Sequence, residues 1–572
     1  MKNLLEVGFN VVGFDKHAYV GGLWNFNEQK DAISVLHSEC LHNFDCRNPV
    51  TDSVPSQARL QMDQSTGDVL QISRFLMVGL TNIHSGKIHY LDLDIDHGTE
   101  TPDFPPAADM HRYLVSYAKH FGILPRAQLS TVVHRAEWNP DTGLWDIETT
   151  TDGEPSVVRS FDKVVYSMGP DQIPNIPSIP GFDLFEGEAV HSIAFKRPEE
   201  WAGKRVLVVG FGNTAADVAC ELAGTAEKVY LSHRNGSIVV SQSDINLHSF
   251  GFLGTATDHK PQLPRWVDNK PVDHIRTYRK GVFLDQLSRY APGIWTKLMN
   301  KVILGLRDKL YDLKPEWGFD PAPSVNQARP IISDYLVDLL SREQINSKPP
   351  IQQITSAQQV EFTDGTTADV DAIIWCTGYT VDYSILGKSD PTIYQESRIR
   401  SANGRKIPRL YQNLLSLEHP ESLAFMGNLS FMNPAFLMFD LATMALGQVW
   451  SGRSPLPPQE EMIKAVDKQH QWIADLAAKG AVTPGLVKGA DWLDWVEETA
   501  GLGMKENLGY GMQGWWFWMS NRSLCKMLMD GLLLPFHYRL FDGKRKKWDG
   551  AEEAILKVNE ELRVKNETKK WQ

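Results

Sequence analysis

Between Lys204 and Ser232 apolar runs and polar breaks follow one another in the order a crossover unit requires. Val206 to Val209 is a valine-rich run suited to a strand buried on both faces. Gly210 and Gly212 interrupt it, and Ala215, Val218, Ala219 and Leu222 then recur at helical spacing. A second strand is predicted over Lys228 to Ser232. Strand, glycine turn, helix and strand within about 30 residues make a right-handed βαβ unit.

Other segments are punctuated more loosely. Phe161 to Met168 predicts one strand ending at Gly169, and Pro174, Pro177 and Pro180 then space a stiff, extended connection. From His248 to about Arg329 the pattern predicts helices and loops rich in Trp, Tyr and Pro. Val360 to Phe362, the turn Asp364-Gly365 and the apolar run Ala372 to Trp375 predict strands, the last ending in Cys376-Thr377-Gly378-Tyr379. After about Gln448 the chain becomes helical, and Trp472, Trp492, Trp495, Trp515, Trp516 and Trp518 are expected as packing anchors of a helical cap. At the front, Leu4, Leu5 and Val7 predict the tail of a helix, Gly8 a turn, and Asn10 to Phe14 a strand. Glu6, Asn10 and Asp15 interrupt this stretch, so it is not expected to be a secretory signal.

Composition narrows the class. At 572 residues the chain should divide into two to four domains. A net charge of −12 argues against nucleic acid as a main partner. No window offers the roughly 18 apolar residues of a transmembrane segment, so a cytoplasmic protein is expected. Five cysteines fit a reducing compartment, and Cys40 and Cys46 have neither redox C-x-x-C nor zinc spacing, so reduced thiols are expected there.

The loop Gly210-Phe211-Gly212-Asn213-Thr214-Ala215 has the form G-x-G-x-x-A. The first glycine permits a tight turn, the second lets the backbone approach a pyrophosphate, and the third small residue lets helix and strand pack closely. A pyrophosphate at the helix N-terminus meets unpaired N–H groups and the positive end of the dipole. About 20 residues on, an NAD site would present a carboxylate to the ribose 2′-OH. Ser232-His233-Arg234 stands there instead, and a hydroxyl with a guanidinium favours the 2′-phosphate of NADP.

Just upstream lies Phe185-x-Gly187-x-x-x-His191-x-x-x-Phe195-Lys196, which resembles the fingerprint of the flavin-containing monooxygenases. His191 alone suits a satisfied loop histidine; the spacing of the whole motif marks the family without making His191 a catalyst. The resemblance implies that this segment couples two cofactor domains. Val20-Gly21-Gly22-Leu23-Trp24 is similar to the family's flavin-lining segment, and Asp15 holds its ribose-acid position. Thr81-Asn82 resembles the pair whose asparagine sits beside the reacting edge of the isoalloxazine, although His84-Ser85 after Ile83 replaces the usual Pro-Lys. Pro330-Ile331-Ile332-Ser333-Asp334 matches too, and Cys376-Thr377-Gly378-Tyr379 resembles the strand end near nicotinamide and flavin. The flavin phosphate loop belongs about 20 residues before Asp15. That position precedes Met1, so either the gene start is set too late or the chain is a shortened, flavin-poor relative.

The expected fold is α/β, with two Rossmann-like dinucleotide-binding domains, the NADPH domain inserted in the FAD domain, and a C-terminal helical region. Residues 1–175 and 346–448 would form the two parts of the FAD domain, 176–345 the NADPH domain with a helical insertion, and 449–572 the helical extension. The resemblance implies an NADPH- and O2-dependent monooxygenase that oxygenates a nucleophilic nitrogen or sulfur of a small molecule through a C4a-hydroperoxyflavin. The cofactor carries that chemistry, and no acid–base pair is predicted; Asn82 alone is placed near the reaction, as a hydrogen-bonding positioner. Two alternatives stay open. A Baeyer–Villiger enzyme would carry Trp where Phe195 stands and Pro or Asp in place of Lys196, and a non-catalytic NADPH-binding relative would lack flavin.

Overall fold

The computed structural model describes residues 1–25, 35–36, 83–84, 87–90, 93–96, 107–169, 172–240, 266–267, 270–271, 277–333, 335–394, 406–430, 435–480 and 482–569. Cys40, Cys46, Thr81 and Asn82 lie outside them.

The predicted crossover unit is present as strand Arg205–Val209, helix Asn213–Leu222 and strand Lys228–Ser232. It belongs to a six-stranded sheet in the order Ile345–Lys348, Lys228–Ser232, Arg205–Val209, Ala372–Trp375, Glu188–His191 and Val35–Leu36. All neighbours are parallel except the final pair. Alternation along each strand explains its apolar run. Val206, Val208, Val229, Leu231 and Ile374 face the helix residues Ala215, Val218, Ala219 and Leu222. Leu207, Ile373 and Trp375 point the other way, onto Ile354, Val360 and Phe362. Those last residues belong to an antiparallel sheet of Ile351–Ile354, Gln359–Phe362 and Thr367–Asp369. Its predicted turn is closed by Gly365 at φ +80°. Burying each such Val, Leu or Ile side chain contributes roughly 1.5–3 kcal/mol.

The single strand expected over Phe161 to Met168 is instead two. Val157–Phe161 pairs with Leu144–Thr151, whereas Val164–Tyr166 runs parallel to Leu423–Phe425 in a different sheet. The polar pair Asp162-Lys163 makes the switch, and Lys163 Nζ donates to the Glu421 carbonyl at 2.6 Å. At the front, helix Lys2–Glu6, Gly8 at φ +98° and strand Gly13–Phe14 follow in the predicted order, with a shorter strand than expected.

The helices after residue 434 share one core built on Ala435–Trp450, with Trp492 and Val496 of Gly489–Ala500 and Ile555 and Val558 of Ala551–Lys569. Leu4 joins it, and Asn3 donates to Asp440, which is paired at 2.7 Å with the buried Arg539. Trp492 is an anchor as predicted, its indole N–H donating to the Gln412 carbonyl at 3.1 Å. Trp472 and Trp495 are half-buried. Trp515, Trp516 and Trp518 overturn the expectation, being 54%, 69% and 42% exposed. The helix Met512–Ser520 turns Gly514 and Phe517 inward, so its other aromatics face out. Among the described residues no helix is long and apolar enough to cross a membrane.

Candidate functional site

Gly210 ends the central strand at φ +133°, and a Cβ there would stand 2.4 Å from the Cys376 carbonyl oxygen. Its N–H donates to the Ser232 carbonyl at 2.9 Å, while the Cys376 N–H donates to the Val209 carbonyl at 2.8 Å. The turn therefore lies where the ends of three strands converge, and only glycine fits. Gly212 differs. Its φ is −116°, which any residue can adopt, but a Cβ there would meet nothing within 4 Å. The helix Asn213–Leu222 starts directly beneath this open space with no side-chain cap. Unpaired N–H groups below open space suit a pyrophosphate. Asn213 turns its Oδ1 the other way, accepting from the Ile332 N–H at 2.8 Å, so strand Ile331–Ile332 braces the loop. Thr214 is half-buried in the first turn, and Ala215 is wholly buried against the sheet.

Ser232, His233 and Arg234 separate in space. The Ser232 hydroxyl is 1% exposed and donates to the Pro349 carbonyl at 2.8 Å, so its donor is committed inside the protein. The buried His233 ring stacks on Phe211 of the glycine loop, centroids 3.7 Å apart and planes 14° from parallel. Its Nδ1 and Nε2 face the Asn235 and Trp317 carbonyls at 3.1 and 3.0 Å. Burial holds its pKa below the usual value, although both carbonyls pull the other way. Arg234 alone is exposed at the surface.

The fingerprint forms a clasp. A Cβ on Gly187 would stand 2.4 Å from the Phe185 ring and 2.5 Å from the Asp371 carbonyl, so the glycine permits that close approach. Phe195 stacks on Trp201, centroids 6.2 Å apart, and Lys196 is half-buried. His191 is fully buried; its Nδ1 accepts from the Ile193 N–H at 3.4 Å, leaving Nε2–H to donate to the Gly378 carbonyl at 3.0 Å. Tyr379 packs edge-on against its ring at 4.8 Å. The same carbonyl accepts from the Asn175 N–H at 2.9 Å, and the Thr377 hydroxyl donates to the Asn175 carbonyl. Burial pushes the Cys376 thiol pKa up. Sequence reasoning missed Asn175, which sits between prolines in no recognisable motif. It also missed Asp371, held down to about 2 by its hydrogen bonds from Arg205 despite partial burial. That pair, at 2.8 Å, ties the glycine-loop strand to its neighbour at the end away from the loop.

A second cluster gathers the flavin-side residues. Asp15 follows strand Gly13–Phe14, and its Oδ1 accepts from the His17 N–H at 2.9 Å and lies 2.9 Å from His17 Nδ1. His17 stacks on Tyr19, which meets the ring of His111 edge-on. His111 Nε2 donates to the Val20 carbonyl at 2.9 Å. Gly21, at φ +107°, would place a Cβ 2.6 Å from the His111 ring, whereas a Cβ on Gly22 would meet nothing within 4 Å. Leu23 and Trp24 complete a short turn, and the buried Trp24 stacks on Phe436, centroids 6.2 Å apart. A half-exposed carboxylate after a strand and an open glycine backbone fit a ribose and a flavin edge.

A model of the flavin-binding monooxygenase-like family matches residues 80–253 and 266–570. Monooxygenase aurF of Gibberella zeae is 44% identical over 566 residues, 98% of this chain and 94% of that protein. Flavin-containing monooxygenase 3 of Homo sapiens is 26% identical, covering 97% of this chain and 88% of its own length. Among solved structures, S-allyl-L-cysteine S-oxygenase from Allium sativum superposes with a TM-score of 0.56 at 17% identity, covering 99% of this chain and 95% of that one. The open form of cyclohexanone monooxygenase gives 0.53 at 16% identity, covering 87% and 94%. At such identities the two structures speak for the fold alone. The family model spans most of the length, and the chain belongs to the flavin-binding monooxygenase-like family, an α/β flavoprotein fold whose cofactors are FAD and NADP.

Proposed function

We propose that the chain uses NADPH and O2 to oxygenate a nucleophilic nitrogen or sulfur centre of a small molecule. The observation that carries the nucleotide half is the open space at Gly212 above an uncapped helix start. There Gly212, Asn213 and Thr214 would hold the pyrophosphate through backbone N–H groups, while Gly210, whose own N–H donates to Ser232, would supply the tight turn. Arg234 would pair with the 2′-phosphate. Ser232 and His233 would act at one remove, fixing the strand end and the Phe211 ring beneath the loop.

Asp15 would accept from the flavin-nucleotide ribose, with Gly22, Leu23, Trp24, Thr81 and Asn82 along the flavin, and Thr377 and Gly378 where the two cofactors meet. When bound, the flavin supplies hydride acceptance and oxygen activation. The protein's residues position it and keep water out. The reading includes the division into 1–175 and 346–448 for FAD, 176–345 for NADPH and 449–572 as the helical extension.

The test is direct. The purified chain should show visible flavin absorbance, oxidise NADPH, and add one oxygen atom to a tertiary amine or thioether. A colourless protein that binds NADPH would favour the non-catalytic reading, and a cyclic ketone converted to a lactone would favour the Baeyer–Villiger one.

A further inference from the structure

We propose that the helix Met512–Ser520 and the basic cavity beside it form a docking surface for an anionic phospholipid bilayer. The helix leaves Met512 92%, Trp516 69%, and Trp515 and Met519 54% exposed. Met512, Trp516 and Met519 follow at i, i+4 and i+7, so they share one face, and Trp515 adjoins it. A monomer seldom leaves so much contiguous apolar surface bare without a use for it. Indole rings favour the headgroup layer of a membrane, where an apolar face and a polar N–H are both accommodated.

The neighbouring charges decide between possible occupants. The next helix, Arg522–Asp530, places Arg522 and Lys526 one turn apart on its exposed side. They line a cavity of about 270 Å³ together with Arg279, Trp518, Cys525 and Asp530. Asp530 is the acidic lining residue, and Arg279 neutralises it through Nε to Oδ1 at 2.7 Å. The Arg522 guanidinium lies over the Trp518 ring, 4.8 Å from its centroid. Trp518 in turn meets Trp515 edge-on at 5.7 Å. The aromatic face and the exposed Arg522 and Lys526, which outnumber the one carboxylate of the cavity, are thus one continuous surface. A second copy joined by a two-fold contact at this face would bring an apolar helix but no opposite charge, since it would set Arg522 and Lys526 against the same cations. An anionic bilayer offers both at once. The mode is interfacial rather than spanning, and it stands apart from the proposed reaction.

The full-length chain should co-sediment with vesicles of phosphatidylcholine containing phosphatidylglycerol, with a blue shift of tryptophan emission, and release as salt is raised. M512S/W515S/W516S should weaken that partition by about tenfold or more. R522Q/K526Q should abolish the preference for phosphatidylglycerol over phosphatidylcholine alone, with NADPH binding retained. Absence of vesicle binding at low ionic strength overturns the proposal. So does a wild-type dimer that the apolar triple variant converts to monomer while neither binds vesicles, which would assign the face to a second copy. Should the triple variant fail to fold, R522Q/K526Q decides alone, since both residues are exposed. An unchanged lipid preference in it overturns the proposal.

Discussion

The Nε2–H of His191 donates to the carbonyl of Gly378 at 3.0 Å, joining two short motifs that lie 187 positions apart. The bond forms where the sheet strands Glu188–His191 and Ala372–Trp375 end side by side, with His191 opposite Trp375 in the register. Gly378 sits two residues beyond Cys376, whose carbonyl crowds Gly210. A continuous path of backbone contacts therefore joins the clasp to the glycine loop.

His191→Ala removes this bond and leaves a cavity at a fully buried position. A loss of about 2–4 kcal/mol is expected, together with weaker NADPH binding. Thermal unfolding and nucleotide titration on the same sample check both effects. A destabilised variant with unchanged NADPH affinity would show that the clasp is not coupled to the loop.

Gly210 and Gly212 should respond differently to alanine. At Gly210 the new Cβ meets the Cys376 carbonyl at 2.4 Å and the backbone is left-handed, so the fold itself is strained. At Gly212 the Cβ enters open space. Stability should then change by about 0.5 kcal/mol or less, while NADPH affinity falls by about tenfold or more, roughly 1.4 kcal/mol. Chemical denaturation and isothermal titration separate the two. Full affinity in a folded Gly212→Ala protein would remove the pyrophosphate from this loop.

The contrast also marks what the sequence could and could not disclose. Helix and strands around Gly210 were legible because local spacing alone defines them. The placement of Ala372–Trp375 beside Arg205–Val209 was not, since a strand from far along the chain inserts there and no local pattern encodes its neighbour. Polar residues at the 2′-phosphate offset were legible too. That the Ser232 hydroxyl is spent on Pro349 was not, because its partner arrives from the end of another strand. The tryptophans fared similarly: composition cannot distinguish Trp492, locked on Gln412, from Trp516, which points outward.

Arg234→Ala tests the nicotinamide preference. Losing a charged hydrogen bond to the 2′-phosphate should weaken NADPH by about 1.5–3 kcal/mol and leave NADH unchanged, since NADH lacks that group. Ser232→Ala should preserve the preference for NADPH, because its hydroxyl already serves Pro349. Paired KM values for the two nucleotides read the outcome. Equal losses for both would mean that Arg234 supports the fold rather than the phosphate.

Glu497, in the last turn of Gly489–Ala500, should make the helical region lose stability as pH rises. Burial pushes its pKa up from 4.5 to about 7, helped by Glu506 and Asp494 and opposed by Lys505. The Lys505 N–H donates to its Oε1 at 2.6 Å, and the side chain is 14% exposed. An unfolded glutamate ionises near pH 4.5, so between there and about pH 7 the folded state holds the extra proton. Stability therefore falls across that window and levels off above it, by an amount on the order of 3 kcal/mol. Glu497→Gln keeps the carbonyl that accepts from Lys505 while removing the titration. Its unfolding free energy should lose this slope and exceed that of the wild type at pH 8. Parallel stability curves for the two proteins from pH 5 to 8 would show that Glu497 is solvated in solution.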